Sequence, residues 1–322
     1  MKTSKFMRLS LVATTILAGV GIAHADFPER PINLVAPFNA GGGTDFLLRA
    51  LAPHFAEAIG GDAYVSNMAG GSGTVGASAL SQQKPDGYQL GYWSVTVSTI
   101  QPQIKNVPYN AESWTPICSV AASPTMFFVR DDSPFNSMQD VMDAVNAEPG
   151  KYIFGSSGPG AITHLSMVSA FSGLNLMDKV KHLPHKGSGP ALKSMASGTI
   201  QFFGDTQVLM KRGGLKPLGV FNTERVADFP DVPTMTEVGI KPPLNELYLW
   251  GGLFAPAGLD EGIRDKLSAA CKTAIDSDGF QEFVSQTGTV INYRNATDFN
   301  DFFQAQYEAN STLIDAAGLT KK

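Results

Sequence analysis

Cysteine, basic charge and long apolar runs are all scarce in this sequence. Only 2 of its 322 residues are cysteines, which excludes a disulfide-built scaffold and a thiolate metal cluster. Its 24 basic residues are outnumbered by 29 acidic ones, for a formal net charge of −5. This balance argues against a nucleic-acid partner, which needs a basic face. The 43% hydrophobic content excludes a disordered chain, so we expect a globular protein of roughly two domains.

Residues 1–25 have the three parts of a secretion signal. Three cations lie within the first eight residues, residues 9–22 are apolar or small without a charge, and Ala23-His24-Ala25 fits the small-x-small cleavage rule. A membrane anchor is the alternative, but the uncharged run is shorter than the ~20 residues that span a bilayer. We therefore predict a cleaved signal peptide and a mature protein in the periplasm.

The remainder alternates between strand and helix patterns. Short apolar runs predict strands at Ile32–Ala36, Ala63–Ser66 and Tyr88–Trp93, and helical spacing of apolar residues lies between them. This β-α-β-α-β order is typical of a parallel sheet with helices on its faces. The pattern repeats, with further strands expected at Thr125–Val129, Tyr152–Phe154, Val180–Leu183, Thr199–Phe203, Leu218–Phe221 and Tyr248–Phe254. Because no flexible linker separates the two α/β units, we expect crossing strands and a ligand cleft between domains.

A Gly-rich turn, PFNAGGGTD at 37–45, follows the first predicted strand and opens a helix. Ligands of open parallel sheets bind at this edge, and a helix N-terminus with uncovered amides attracts anions. A structural turn is the alternative, although one glycine would suffice for it. The candidate ligand-binding residues here are Phe38, Asn39, Ala40, Gly41, Gly42, Gly43 and Thr44.

The segment Gly71–Gly76 is a literal GxGxxG between a strand and a helix. A dinucleotide site is disfavoured, because the motif follows the second strand and Asp86 is too close to be the ribose-binding acid. We interpret it as a second helix N-terminus that faces the cleft or packs near it.

A third turn, FGSSGPGAITH at 154–164, offers hydroxyls and exposed amides after another strand. It resembles the hydrolase nucleophile elbow only loosely, because Pro159 stands where the elbow needs glycine. A ligand-binding loop is favoured over a catalytic serine or a plain turn. The candidates are Ser156, Ser157, Gly158, Thr163 and His164.

Other candidates lie nearby in the second unit, and one lies in the first. His185 and Ser188 belong to a turn into a helix, and Asp205 ends a strand, where it could meet a ligand or simply start a turn. Trp93 could line a cleft or pack in the core. His182 and His185 have no partners placed to complete a metal site. Cys118 and Cys271 could pair in an oxidising compartment, but the sequence cannot show that they meet.

Seven motifs occur in one order along the mature chain: FPERPINLVAPFNAGGGTD, AGGSGTVGA with KPDGYQL, SWTPI at 113–117, FGSSGPGAITHL, HKGSGPALKSMASG, FPDVPTMTEVG at 229–239 and LFAPAG at 253–258. Together they resemble the Bug family, the extracytoplasmic solute receptors of tripartite tricarboxylate transporters. The resemblance implies an α/β type II periplasmic-binding-protein fold and a carboxylate ligand held by amides, hydroxyls and bridging waters. The turns at 38–44 and 156–163 match the family's carboxylate-holding loops.

The sequence departs from the family at three places near the expected specificity pocket. His185 stands where the family commonly has tyrosine, Trp93 replaces smaller residues, and Asp205–Leu209 lacks the usual continuation. The ligand of a characterised relative therefore cannot be assumed for this chain.

The resemblance leads to a specific expectation. Residues 26–123 with 248–322 form domain 1, and residues 124–247 form domain 2. The protein is expected to be a monomer that captures a small organic carboxylate, without a cofactor or metal, for membrane permease subunits. An exported α/β hydrolase using Ser156 or Ser157, and a ligand sensor for a two-component system, are the alternatives.

Overall fold

The structure, a computed structural model, describes residues 27–41, 43–185, 187–316 and 318–321. The predicted signal peptide, Gly42 and Lys186 lie outside the described residues. Among the described residues, none of the helices has the length and apolar content that a membrane span needs.

The first α/β unit confirms the predicted strand–helix order. It runs β1 (Ile32–Ala36), α1 (Gly43–Ile59), β2 (Ala63–Asn67), α2 (Thr74–Leu80) and β3 (Gln89–Ser94). The apolar residues of α1 that recur at helical spacing are buried, namely Leu47, Leu48, Leu51, Phe55 and Ile59. Both β2 and β3 pair with β1 in parallel, so the carboxyl ends of the three strands meet at one edge.

The first unit continues into a short helix and then a long strand. A π-helical turn at Thr96–Ile100 leads into α3 (Gln101–Ile104), and β4 (Trp114–Arg130) follows. The sequence predicted only Thr125–Val129 of this strand. The missed part carries Pro116 and small polar residues, and its pairing with a later strand has register shifts there, so the usual strand pattern is absent.

The second unit has the same plan as the first. It contains α4 (Met138–Ala147), β5 (Ile153–Ser156), α5 (Ile162–Gly173), β6 (Lys181–Pro184), α6 (Ser188–Ala196) and β7 (Phe202–Thr206). Helix α4 begins with a capping box, in which the Ser137 hydroxyl accepts the Asp140 amide and the Asp140 carboxylate accepts the Ser137 amide. The sheet order β6-β5-β7 repeats β2-β1-β3, again with parallel pairs. The prediction of β7 at Thr199–Phe203 was wrong by three residues, because the amides of Thr199 and Ile200 close α6 by bonding the Ser194 carbonyl.

The C-terminal part returns to the first unit. After β8 (Leu215–Val220), which still belongs to the second unit, the chain forms β9 (Tyr248–Pro256), α7 (Glu261–Asp276), α8 (Asp278–Thr287), β10 (Ile291–Arg294) and α9 (Ala296–Ala316). Strand β9 pairs with β3 on one side and β4 on the other, whereas the last residues of β4 pair with β7 and β8. The long strand β4 therefore crosses from one unit into the other.

Two packing features fix the first unit. Cys118 on β4 and Cys271 on α7 form a disulfide, which settles the pairing that the sequence left open. Helix α7 also packs on α1, and its residues Leu267, Ala270 and Ala274 lie in the same buried cluster as Leu51 and Phe55. The outer helical layer is thus held covalently to the strand that leaves for the second unit.

Candidate functional site

The two units contact each other where the strand ends of both lie. The backbone N–H of Ile162, the first residue of α5, donates to the Thr96 hydroxyl at 3.4 Å. A Cβ atom on Gly160 would lie 2.1 Å from the Ile104 side chain and 3.7 Å from the amide nitrogen of Gln101. We call this meeting of Thr96, Gln101 and Ile104 with residues 160–162 the contact zone. It places the N-terminus of α5 against the first unit.

The first loop, residues 38–44, is anchored to α1 by a hydrogen bond between Gly41 and Asp45. The buried Asp45 carboxylate accepts hydrogen bonds from Arg49 Nε, Gly41 N and Asn67 Nδ2, each at 2.9 Å. Bonds from Arg49, Gly41 and Asn67 lower the pKa of Asp45 to about 2. The first loop is therefore anchored at Gly41 by a carboxylate that is ionised at neutral pH, and the Gly41 amide is engaged in this bond and not open to a ligand.

The other described residues of the first loop remain accessible. Asn39, Ala40, Gly41 and Gly43 are exposed, and Phe38 is half-buried. A Cβ atom at Gly41 or Gly43 would meet nothing within 4 Å, so these two positions leave open space above the backbone. An incoming group could approach this backbone closely.

The GxGxxG segment packs against the first loop. Gly73 has a φ of 92°, and a Cβ atom there would lie 2.5 Å from Val97 and 3.5 Å from the Phe38 ring. The Lys105 ammonium donates to the Gly71 carbonyl at 2.9 Å. The glycine at position 73 is thus explained by close packing, in line with the non-nucleotide interpretation of the motif.

Residues 156–163, the second loop, are tied together by their own hydroxyls. The Thr163 hydroxyl accepts the Ser157 amide at 2.9 Å and lies 2.6 Å from the Ser157 hydroxyl. The Ser156 hydroxyl accepts the Gly158 amide at 3.2 Å. When Ser157 donates its hydroxyl proton to Thr163, the Thr163 proton is left for a ligand on the other side. The loop is preorganised by these bonds.

Three aromatic rings, one from Phe154 and two from histidines, pack together next to the second loop. The rings of Phe154, His164 and His182 form a triangle, with centroid distances of 4.8 Å between His182 and Phe154, 4.1 Å between His182 and His164, and 6.1 Å between Phe154 and His164. His164 Nδ1 accepts the Gly160 amide at 3.2 Å, which requires that nitrogen to be unprotonated. Burial lowers the pKa of His164 to about 3 and that of His182 to about 4; the second cause is the His182 imidazole for His164 and the His185 imidazole for His182. Both rings are therefore neutral at pH 7.

His182 also forms a serine–histidine contact that the sequence did not predict. Its Nε2 lies 2.7 Å from the Ser156 hydroxyl, the geometry of a nucleophile and its base. However, Ser156 has no solvent exposure, and a histidine with a pKa of about 4 is a poor base at neutral pH. The contact therefore positions the loop rather than activating the serine.

The turn after β6, which carries the candidates His185 and Ser188, lies against the second loop. The His185 amide donates to the Ser156 carbonyl at 3.0 Å, and His185 Nε2 lies 2.8 Å from the Ser194 hydroxyl. His185 Nδ1 is buried and has no hydrogen-bond partner among the described residues. Ser188 donates to Asp205 Oδ2 at 2.6 Å, and Asp205 Oδ1 accepts the Thr206 amide at 2.8 Å. The turn after β6 therefore holds the second loop through its backbone, because the Gly187 amide also donates to the Ser157 carbonyl at 3.0 Å, whereas Ser188 and Asp205 bond each other.

Trp93 lies in the hydrophobic core, in the buried cluster against which Phe38 of the first loop packs. Its ring has no solvent exposure and meets Trp114 edge-on at a centroid distance of 5.6 Å. A Cβ atom on Gly91 would lie 2.0 Å from the indole. This location favours core packing over a cleft-lining role.

A separate cavity of about 340 Å³ lies where the segment after β7 faces the end of α8. Its lining residues are Gln207, Val208, Asp228, Phe229, Val284, Ser285, Gly288, Thr289 and Val290. The described candidates of the two loops do not line it. Sequence reasoning missed this cavity, because its walls come from segments without a recognisable motif.

The sequence analysis also did not identify Thr96 and Gln101, the two polar residues that the first unit contributes to the contact zone. Both are buried polar residues, and they follow β3 in a π-helical turn and a short helix. The available signal was the run of polar residues, Thr96, Ser98, Thr99 and Gln101, directly after a buried strand. Buried polar groups and π-turns both tend to occur at functional sites.

A family model described as a tripartite tricarboxylate transporter family receptor matches residues 47–319. The chain is 32% identical over 323 residues to a UPF0065 protein of Bordetella pertussis, and the match covers 98% of both chains. The solved structure of the periplasmic binding protein BugD is 29% identical and superimposes with a TM-score of 0.78 over 92% of this chain and 100% of that one. R. palustris Rpa4515, solved with adipate, is 25% identical, with a TM-score of 0.79 over 92% of this chain and 100% of that one.

Proposed function

Because the chain belongs to the Bug family of tripartite tricarboxylate transporter receptors, we propose that it captures a small organic carboxylate in the periplasm and delivers it to membrane permease subunits. The ligand is a di- or tricarboxylate or a related acid. The receptor acts as a monomer after removal of its signal peptide, and needs neither cofactor nor metal.

The contact zone is the observation that supports this proposal most. It holds the N-terminus of α5 against the first unit, through Ile162 and Thr96, in a chain whose relative Rpa4515 was solved with adipate. A helix N-terminus carries roughly half a positive charge and attracts a carboxylate. In our proposal the second loop supplies this charge and the Thr163 hydroxyl, while the first loop closes over the ligand.

The proposed ligand binds between two domains, residues 26–123 with 248–322 and residues 124–247. Strands β4 and β9 are paired at Pro124 and Tyr248, so both proposed boundaries fall at one place in the sheet. A hinge at this place would let the units open and close as bodies. Desolvating an anion is costly, so donors from both units are needed to hold it.

A thermal-shift screen tests the proposed function. The panel contains succinate, malate, adipate, citrate and aromatic acids, each beside its neutral amide or methyl ester. We expect at least one acid to raise the melting temperature, while its neutral counterpart does not. A protein stabilised only by the neutral amides or esters, or by none of the acids, would contradict the proposal.

The hydrolase alternative is disfavoured because Ser156 is buried beside a histidine whose pKa is lowered to about 4, and because the Ser157 hydroxyl contacts Thr163 and not a base. The sensor alternative makes the same ligand-binding prediction and differs only in the partner. Co-purification with permease subunits encoded beside the gene distinguishes transport from sensing.

A further inference from the structure

Gln101 carries a buried amide whose bonding capacity is unused. It begins α3, and its side chain has no solvent exposure. Neither the amide nitrogen nor the amide oxygen has a hydrogen-bond partner among the described residues. Buried side-chain amides are normally paired, and leaving one unpaired destabilises a fold. Such a group points to a partner from outside the chain.

The Gln101 amide is directed at the second loop. Its nitrogen would lie 3.7 Å from a Cβ atom on Gly160, a residue with a φ of 70° whose own amide is bonded to His164. Helix α5 begins two residues later, at Ile162. The Ile162 amide donates to the hydroxyl of Thr96, which lies in the π-helical turn directly before Gln101. An unpaired donor and an unpaired acceptor are therefore placed beside the positive end of α5.

We infer that Gln101 is a specificity-determining residue of the proposed carboxylate site, and that it selects acids with a hydroxyl group next to the carboxylate. This inference rests on the proposed function. A carboxylate only accepts hydrogen bonds, so it can satisfy the Gln101 nitrogen but not the oxygen. A neighbouring hydroxyl donates to that oxygen and completes the pairing.

An ammonium group could also donate to the Gln101 oxygen, but two features disfavour it. Burying a cation costs far more than burying a hydroxyl. The positive end of α5 lies beside the same amide and repels a cation. We therefore assign the group that donates to the Gln101 oxygen as a hydroxyl. An amino acid, aspartate, is included in the test to check this assignment.

The test is calorimetric titration with two matched pairs of acids, malate against succinate and 2-hydroxyadipate against adipate. Each pair differs by one hydroxyl. The wild type is expected to prefer the hydroxy acid of at least one pair by about tenfold or more. In Gln101→Met, which keeps the length of the side chain and removes both polar atoms, that preference should shrink to about twofold or less.

The melting temperature of the unliganded protein distinguishes a role of Gln101 in ligand recognition from a structural role. Because Gln101→Met removes two unpaired buried polar atoms, the unliganded variant should melt no lower than the wild type. The matched control is Gln103→Met on the same short helix. Gln103 donates to the carbonyls of Thr99 and Tyr307 at 2.8 and 2.9 Å, so its loss should lower the melting temperature while the preference for the hydroxy acid is kept.

Several results would overturn the inference. Equal binding of both acids in each pair, an unchanged preference in Gln101→Met, or tighter binding of aspartate than of malate would each do so. Binding of other carboxylates but of neither pair would also exclude this assignment while leaving the proposed function intact. Failure of every acid in the thermal-shift panel would instead remove the proposed function itself.

Discussion

Thr163 is the side chain of the second loop on which ligand binding should depend most. Its hydroxyl accepts from the Ser157 amide and lies beside the Ser157 hydroxyl, so it holds the loop as well as offering a donor. Thr163→Ala should weaken carboxylate binding by about ten- to a hundredfold, the effect of a lost charge-assisted bond of roughly 1.5–3 kcal/mol. The measurement is calorimetry with the best acid of the thermal-shift panel.

Thr163→Ser is the matched control, because it retains the hydroxyl. It should recover most of the affinity. The alanine variant should also melt slightly lower without ligand, since the Ser157 amide loses its acceptor. Normal binding by Thr163→Ala would mean that the hydroxyl serves the turn alone.

The neutral imidazoles of His164 and His182 predict an acid-sensitive fold. Their pKa values are lowered to about 3 and about 4 from an ordinary value of 6.5, so the unfolded chain binds protons that the folded chain does not. The contribution of these rings to stability is thus complete above pH 6.5 and declines as the pH falls toward 4. Urea unfolding at pH 7 and pH 5 should show this decline, and His182→Gln should reduce it while retaining a polar partner for Ser156. An equal decline in His182→Gln would contradict the assignment.

At the residue scale, the sequence predicted the loops better than their internal bonding. Ser156, Ser157 and Thr163 stand in a recognisable turn, but nothing in their spacing shows that they bond one another or that His182 reaches Ser156. Gln101 has no motif around it, and its unpaired amide is visible only in three dimensions. Long-range contacts of single side chains are set by the tertiary fold.

At the scale of elements, the disulfide between β4 and α7 is the feature most open to test. Cys118 and Cys271 are separated by 153 residues and are both fully buried. A double variant, Cys118→Ala with Cys271→Ala, should lose roughly 2–5 kcal/mol of unfolding free energy, because a long loop of the unfolded chain is no longer closed. Urea unfolding measures this loss.

The same disulfide variant should keep its affinity for carboxylates. The bond joins the outer helical layer to the first unit's part of β4, and the buried cluster around it contains none of the described residues of the second loop. A variant that folds but no longer binds would show that the first unit's core controls the site.

Elements with a clear period were predictable, and those without one were not. Strand β1 is short, apolar and bounded by prolines, and it was predicted to the residue at Ile32–Ala36. Strand β4 carries Pro116 and Pro124 and changes neighbours along its length, so no single alternation of buried and exposed residues runs through it. Only the strand pairing in the structure shows that β4 passes from the first unit into the second.

At the scale of the whole molecule, the proposed function requires the two units to close on one ligand. The first loop is anchored in one unit by Asp45, and the second loop belongs to the other unit. A ligand that contacts both favours the closed arrangement, and shifts the population only by that difference in affinity. At a ligand concentration about a hundredfold above Kd, the stabilisation is about 2.7 kcal/mol, or a rise of a few degrees in melting temperature.

Small-angle X-ray scattering, recorded with and without an acid that calorimetry has shown to bind, tests this closure most directly. We expect a smaller radius of gyration for the liganded protein, with the same mass in both samples. A scattering curve that stays unchanged although the acid is bound and the melting temperature has risen would contradict closure of the two units around the ligand.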